Sequence, residues 1–133
     1  MKDRKSEKQI LNDALCDVSK IPDTLIWRNN TGMGWQGERL RLFPGAYIEI
    51  EPNMVVLRNA RPVHFGLEGS GDFIGATQGI PLAVETKTLS GKQRVAQGNF
   101  ERAWTKAGGL YVLARSPEEA LLSIFSALGD KSI

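Results

Sequence analysis

Apolar residues recur at three- and four-residue spacing between Ser6 and about Lys20, where Ile10, Leu11, Ala14, Leu15 and Val18 form one stripe. That is the signature of an amphipathic helix. Ser6 is a suitable cap, and Ile21-Pro22 breaks the helix because the residue before proline avoids the helical region. Cys16 lies near the stripe and reads as a small, partly buried thiol. Leu25–Arg28 predicts a short strand, and Asn29–Gly34 a loop. Ala46–Glu51 and Met54–Arg58 read as the two arms of a β-hairpin joined at Pro52-Asn53, although apolar alternation is clean only in the first arm.

Gly66, Gly69 and Gly71 then crowd a tight bend that Asp72-Phe73-Ile74-Gly75 leaves as a strand. After Thr77-Gln78-Gly79-Ile80-Pro81, Leu82-Ala83-Val84 opens the next strand. Lys92 to about Lys106 has helical length and spacing and stops at Gly108-Gly109. Leu110–Ala114 is a near-continuous apolar run, the pattern of a strand buried on both faces. A last helix starts at Ser116 as N-cap, with Pro117 at its first position and Glu119 three residues after the cap, and ends at Gly129. The order predicts a mixed α/β domain with a mainly antiparallel sheet flanked by helices.

Composition narrows the function classes. With 133 residues, 41% hydrophobic and 24% charged, the chain suits a single domain spanning 1–133. A formal net charge of +2 is too small for polyanion binding by bulk charge, so a nucleic-acid partner must meet a local basic surface. The single cysteine, Cys16, excludes an internal disulfide and a cysteine-rich zinc site. The single histidine, His64, leaves no histidine pair for a metal and reads as a packed or surface imidazole. The N-terminal MKDRKSEKQ lacks the apolar stretch of a signal peptide, and no apolar run approaches the roughly 20 residues of a membrane span. The expectation is a soluble, intracellular protein without a membrane partner, or one made inside a cell by an agent that infects it.

The chemistry concentrates at Asp72 and, thirteen residues on, Glu85-Thr86-Lys87. Residues i and i+2 of a strand share a face, so Glu85 and Lys87 project together. A turn centred on Gln78-Gly79 sets Asp72 directly across from Glu85, whereas a one-residue slip at Pro81 would send it to the other face. Two carboxylates that close repel unless a cation lies between them, and a hard divalent ion such as Mg²⁺ suits the gap. Taken singly, an Asp after a glycine bend is also an ordinary turn residue, and Glu-x-Lys an ordinary solvated strand face. Arg28, Asn29, Asn30, Arg39 and Arg41 gather polar and basic groups around Trp27 and Trp35, either for phosphate contact or as scattered surface charge. Lys92, Arg94, Arg102 and Lys106 make a second candidate basic stripe. Trp104, four residues after Phe100, fits a core position. The glycines at 66, 69 and 71 precede a strand, not a helix, so they bend the backbone rather than form a nucleotide loop.

The ordered segments Glu7, Trp27-Arg28-Asn29-Asn30-Thr31-Gly32, Phe65-Gly66-Leu67-Glu68-Gly69-Ser70-Gly71-Asp72, Val84-Glu85-Thr86-Lys87, Gln97-Gly98-Asn99-Phe100 and Gly108-Gly109 run along almost the whole chain. In that order they resemble the virus-type replication-repair nucleases, the VRR-NUC family of the PD-(D/E)XK superfamily, in its stand-alone phage-like form. Thr86 departs mildly from the apolar residue usual between the Glu and the Lys, and residues 44–60 look like an inserted hairpin. The resemblance implies a restriction-endonuclease-like core and a metal-dependent DNA endonuclease using Mg²⁺ or Mn²⁺. Asp72, Glu85 and the Thr86 backbone carbonyl would hold the metal, joined by Glu7 directly or through water. Lys87 would assist catalysis, and Gln97 would align neighbouring groups or contact the DNA backbone; Glu7 and Gln97 are also unremarkable as a first-turn carboxylate and a solvated helix residue. Arg28, Asn29, Asn30, Lys92 and Arg94 would contact DNA. The implied substrate is branched DNA, in particular the four-way (Holliday) junction, cut by a homodimer whose candidate surfaces are the hairpin and the C-terminal helix. The implied setting is the cytoplasm of a phage-infected bacterial host. A flap-directed or less selective nuclease and a catalytically silent DNA-binding module are the alternatives.

Overall fold

The computed structural model describes residues 4–129. Helix α1 (Glu7–Ser19) is followed by strands β1 (Thr24–Arg28), β2 (Gly32–Arg39), β3 (Leu57–Phe65), β4 (Phe73–Thr77) and β5 (Ile80–Thr86). Helix α2 (Val95–Lys106), strand β6 (Leu110–Ala114) and helix α3 (Pro117–Ala127) follow. The fold is mixed α/β with three helices and a mainly antiparallel sheet. The chain divides into two compact units, residues 1–30 with 66–133, and residues 31–65.

The larger unit carries a four-stranded sheet in the order β1-β4-β5-β6. The first two pairings are antiparallel and β5 runs parallel to β6, with α2 as the crossover. Side chains alternate along β5, so Leu82 and Val84 enter the core while Ala83 and Glu85 face the other way. Leu82 and Val84 pack with Phe73, Val112 and Ala114, with Ala14, Val18 and Ile21 from the α1 region, and with Ala120 and Ile124 of α3. The apolar stripe of α1 is buried as its spacing predicts, through Ile10, Leu11, Ala14 and Val18. Ser6 and Gln9 bond reciprocally at its N-terminus, closing a capping box. The opposite sheet face receives α2, whose Gln97 and Phe100 are its buried residues. Phe100 stacks on Trp104, and the Trp104 indole N–H donates to the Leu110 carbonyl, so Trp104 is a packing residue.

The β4–β5 turn settles the register. Gln78 and Gly79 both have positive φ, 48° and 82°, as a two-residue hairpin turn requires. The strands pair Phe73 with Val84 and Ala76 with Pro81, with no slip at the proline. Ser116 caps α3 by accepting from the Glu119 N–H.

Four expectations are corrected. The smaller unit is a two-stranded antiparallel sheet of β2 and β3, so Gly32–Gly34, expected as loop, begins a strand. Residues 46–51 form no strand, and the second arm of the expected 44–60 hairpin becomes strand only from Leu57, pairing with β2 instead. Asn53 does lie in a turn, at φ 67°, with Met54 N–H donating to the Glu51 carbonyl, but the arms it joins do not pair. Glycines at 32, 34 and 37 and outward-facing side chains hide β2 from an alternation argument, while the alternating arm at 46–51 finds no partner strand in its own unit. Cys16 is exposed, not partly buried, because it lies off the buried stripe. Finally, β6 is an edge strand with only Val112 and Ala114 fully buried, so its apolar run reflects partial cover on the α2 side.

Candidate active site

Four element ends converge in the larger unit: the start of α1, the entry to β4, the exit of β5 and the start of α2. The β4 entry is built by a tightly bonded turn. Gly71 at φ +97° leaves no ordinary room for a side chain, since a Cβ there would lie 3.0 Å from the Val84 carbonyl oxygen. The Asn29 side-chain amide donates to Ser70 Oγ at 2.6 Å and to the Gly71 carbonyl at 3.1 Å, and the Asn29 N–H donates to the Asp72 carbonyl at 2.9 Å. These bonds hold the approach to Asp72, and its own N–H donates to the Val84 carbonyl at 2.7 Å.

The Asp72 carboxylate is held by one oxygen. Its Oδ2 accepts from both the N–H and the hydroxyl of Thr86, each at 2.7 Å. Glu85, on the opposite face of β5 from the core, accepts at Oε1 from Gln97 Nε2 at 2.7 Å and lies 3.4 Å from Lys87 Nζ. Glu85, Lys87 and Gln97 are all buried. Gln97 works at both ends, because its Oε1 also accepts from the Arg94 N–H at 2.8 Å and so satisfies an open donor at the start of α2. Arg94 has no acceptor to offer in return, so only half of a capping box exists there. Glu7, exposed in the first turn of α1, completes the group: one carboxylate oxygen each from Glu7, Asp72 and Glu85 lie within 4.8 Å of one another.

Crowding shows in the electrostatics. Burial, reinforced by the Asp72 carboxylate, pushes Glu85 up from 4.5 to about 7, against the pull of Lys87 and with a further push from Glu7. On the same side of the sheet, burial pushes the Tyr111 hydroxyl up to about 12, so it stays neutral.

The five residues expected at the centre, Glu7, Asp72, Glu85, Lys87 and Gln97, are thus brought together. Thr86 joins them through its N–H and hydroxyl, an engagement of the side chain that sequence reasoning missed. The expected DNA contacts divide. The Asn29 amide nitrogen is occupied by the turn before Asp72, while Arg28, Asn30, Lys92 and Arg94 are exposed and outside the acidic group. Among the described residues none of these four takes part in an ion pair. Arg39, Arg41 and Trp35 belong to the smaller unit. No helix among the described residues is long and apolar enough to cross a membrane. Compared with models of known protein families and with curated proteins, the chain matches none.

The donor set fits a hard divalent ion. It is all oxygen, and two oxygens on one Mg²⁺ at about 2.1 Å are about 3–4.2 Å apart, within a small side-chain movement of the 4.8 Å limit here. Three carboxylates against one nearby ammonium leave excess negative charge for a cation to neutralise.

Proposed function

We propose that this chain is a metal-dependent DNA endonuclease with a PD-(D/E)XK core of the VRR-NUC type. The observation that carries the reading is the convergence of Glu7, Asp72 and Glu85 on one point with Lys87 alongside. Glu85 and Asp72, with Glu7 and the Thr86 carbonyl, would hold Mg²⁺ or Mn²⁺. When bound, such an ion supplies Lewis acidity and lowers the pKa of water in a phosphodiester hydrolysis. The chain's own groups do the rest. Thr86 holds one Asp72 oxygen through two hydrogen bonds, which fixes the direction of the other. Gln97 fixes Glu85, and Lys87 keeps a positive charge where negative charge grows on phosphorus-bound oxygen as water attacks and the leaving oxygen departs. Arg28, Asn30, Lys92 and Arg94 would meet the phosphate backbone.

The substrate proposed is branched DNA, with the four-way junction first. A junction is cut on two symmetry-related strands, and a two-fold homodimer brings two such sites in matching symmetry. The smaller unit supports a partner surface: none of residues 31–65 is buried, and Phe43, Tyr47, Ile50 and Val55 are exposed. The test is cleavage of labelled four-way junction, flap and linear duplex in Mg²⁺, with EDTA as control and light scattering for mass. Paired symmetric nicks by a dimer support the reading. Flap or duplex cutting keeps the nuclease and discards the junction, and metal-independent binding without cleavage turns the reading to a silent DNA-binding module.

A further inference from the structure

Lys87 leaves β5 with its N–H donating to the Ala114 carbonyl at 2.9 Å, which ties it to the end of β6. The chain then turns at once, with the Gly91 N–H donating to the Thr88 carbonyl at 3.1 Å. This turn folds back along the Lys87 side chain: a Cβ on Gly91 would lie 3.3 Å from Lys87 Cδ and 3.4 Å from Lys87 Cβ. The next residue after Ala114 grips the turn from the other strand. Arg115 Nη1 donates to the carbonyls of Thr88 at 2.6 Å, Gly91 at 2.7 Å and Leu89 at 3.3 Å. Among the described residues Arg115 forms no ion pair, so its charge is engaged by these carbonyl dipoles. Enclosed in this way, Lys87 is only 5% exposed, although a lysine stem has four rotatable bonds and prefers water.

We propose that Arg115 is a positioning residue: by clamping the 88–91 turn over the lysine stem, it holds the Lys87 ammonium beside Glu85. How Lys87 is held stands on geometry alone, while its effect on cleavage rests on the nuclease reading above. All three bonds come from Nη1, whose two N–H groups are shared among the carbonyls, and the rigid guanidinium plane fixes their direction where a freely rotating lysine ammonium would not. The clamp restricts the amine to the site before substrate arrives, which is where positional precision of about an ångström is worth up to about 100-fold in rate.

The experiment is amine labelling of the folded full-length chain, read by mass spectrometry at Lys87, with exposed Lys20 as the internal reference. Arg115→Ala raises labelling of Lys87 several-fold with Lys20 unchanged, and Arg115→Lys gives an intermediate rate. If Arg115→Ala fails to fold by circular dichroism, Arg115→Lys alone decides. Labelling of Lys87 at the wild-type rate in the folded variant overturns the proposal. With cleavable DNA, Arg115→Ala lowers kcat with KM unchanged, and adds nothing to the loss caused by Lys87→Ala. Full additivity of the two losses also overturns it. Absence of cleavage by the wild type defeats the nuclease reading and leaves the labelling result standing.

Discussion

The two units of this chain solve the folding problem differently. The larger one buries Phe73, Leu82, Val84 and Ile124 completely and sets its polar residues at the ends of strands and helices. The ribbon of residues 31–65 buries no residue, and it exposes Trp35, Phe43, Tyr47 and Val55 by more than half. A two-stranded sheet is at best marginally stable by itself. The contrast separates two placements of apolar residues: in the sheet unit they are buried beneath a crowded, repulsive group of acids, and in the ribbon they stay exposed.

The sharpest test of the contrast is stability. Phe73→Ala destabilises by about 3–5 kcal/mol in denaturant titration, since it empties a fully enclosed position, whereas Trp35→Ala in the ribbon costs less than about 1 kcal/mol. A ribbon substitution with the same penalty as Phe73→Ala would abolish the distinction.

A second effect concerns pH. Glu85 is raised from 4.5 to about 7, so the folded state binds its proton more tightly than the unfolded chain does. The sign follows: the stability linked to this proton is fully present below pH 4.5 and is lost as pH rises to about 7, by on the order of 3 kcal/mol at about 1.36 kcal/mol per unit. Melting of metal-free protein from pH 5 to pH 8 shows the decline, and Glu85→Gln flattens it. An equal slope in both proteins would place the titration elsewhere.

Asp72→Asn removes one of the repelling charges while keeping an acceptor for Thr86. Its expected outcome is a melting temperature at pH 8 equal to or above wild type, with cleavage lower by at least about 100-fold in initial-rate assays. Cys16→Ser is the smallest change, within about 0.5 kcal/mol. The native thiol, being exposed, reacts promptly with a thiol reagent.

Much of the sheet unit was legible because its signals are local. The α1 stripe, the Ser116-Pro117 helix start and the Gln78-Gly79 turn each operate over a few residues, and the turn sets the β4–β5 register from Thr77↔Ile80 to Phe73↔Val84, next to which Asp72 lies. The ribbon was not legible, because β2 carries glycines and exposed polar residues on both faces and alternation has nothing to report. The roles of Asn29, Thr86 and Arg115 were hidden for another reason. Each acts through a hydrogen bond to a residue brought near only by strand pairing, from Asn29 to Ser70, from Thr86 to Asp72 and from Arg115 to Thr88. Gln97 was half legible: its place beside the acids was expected, its second bond to the Arg94 N–H was not.

The central claim is that Glu7, Asp72 and Glu85 form one cation site. Its most direct measurement is the shift in melting temperature with Mn²⁺ and Mg²⁺ concentration at pH 8, for wild type, Asp72→Asn and Glu85→Gln. A ligand that binds only the folded state raises stability with its concentration. The account predicts a saturable rise in the wild type that is lost in both variants. An identical rise in all three, or none in the wild type, would contradict it.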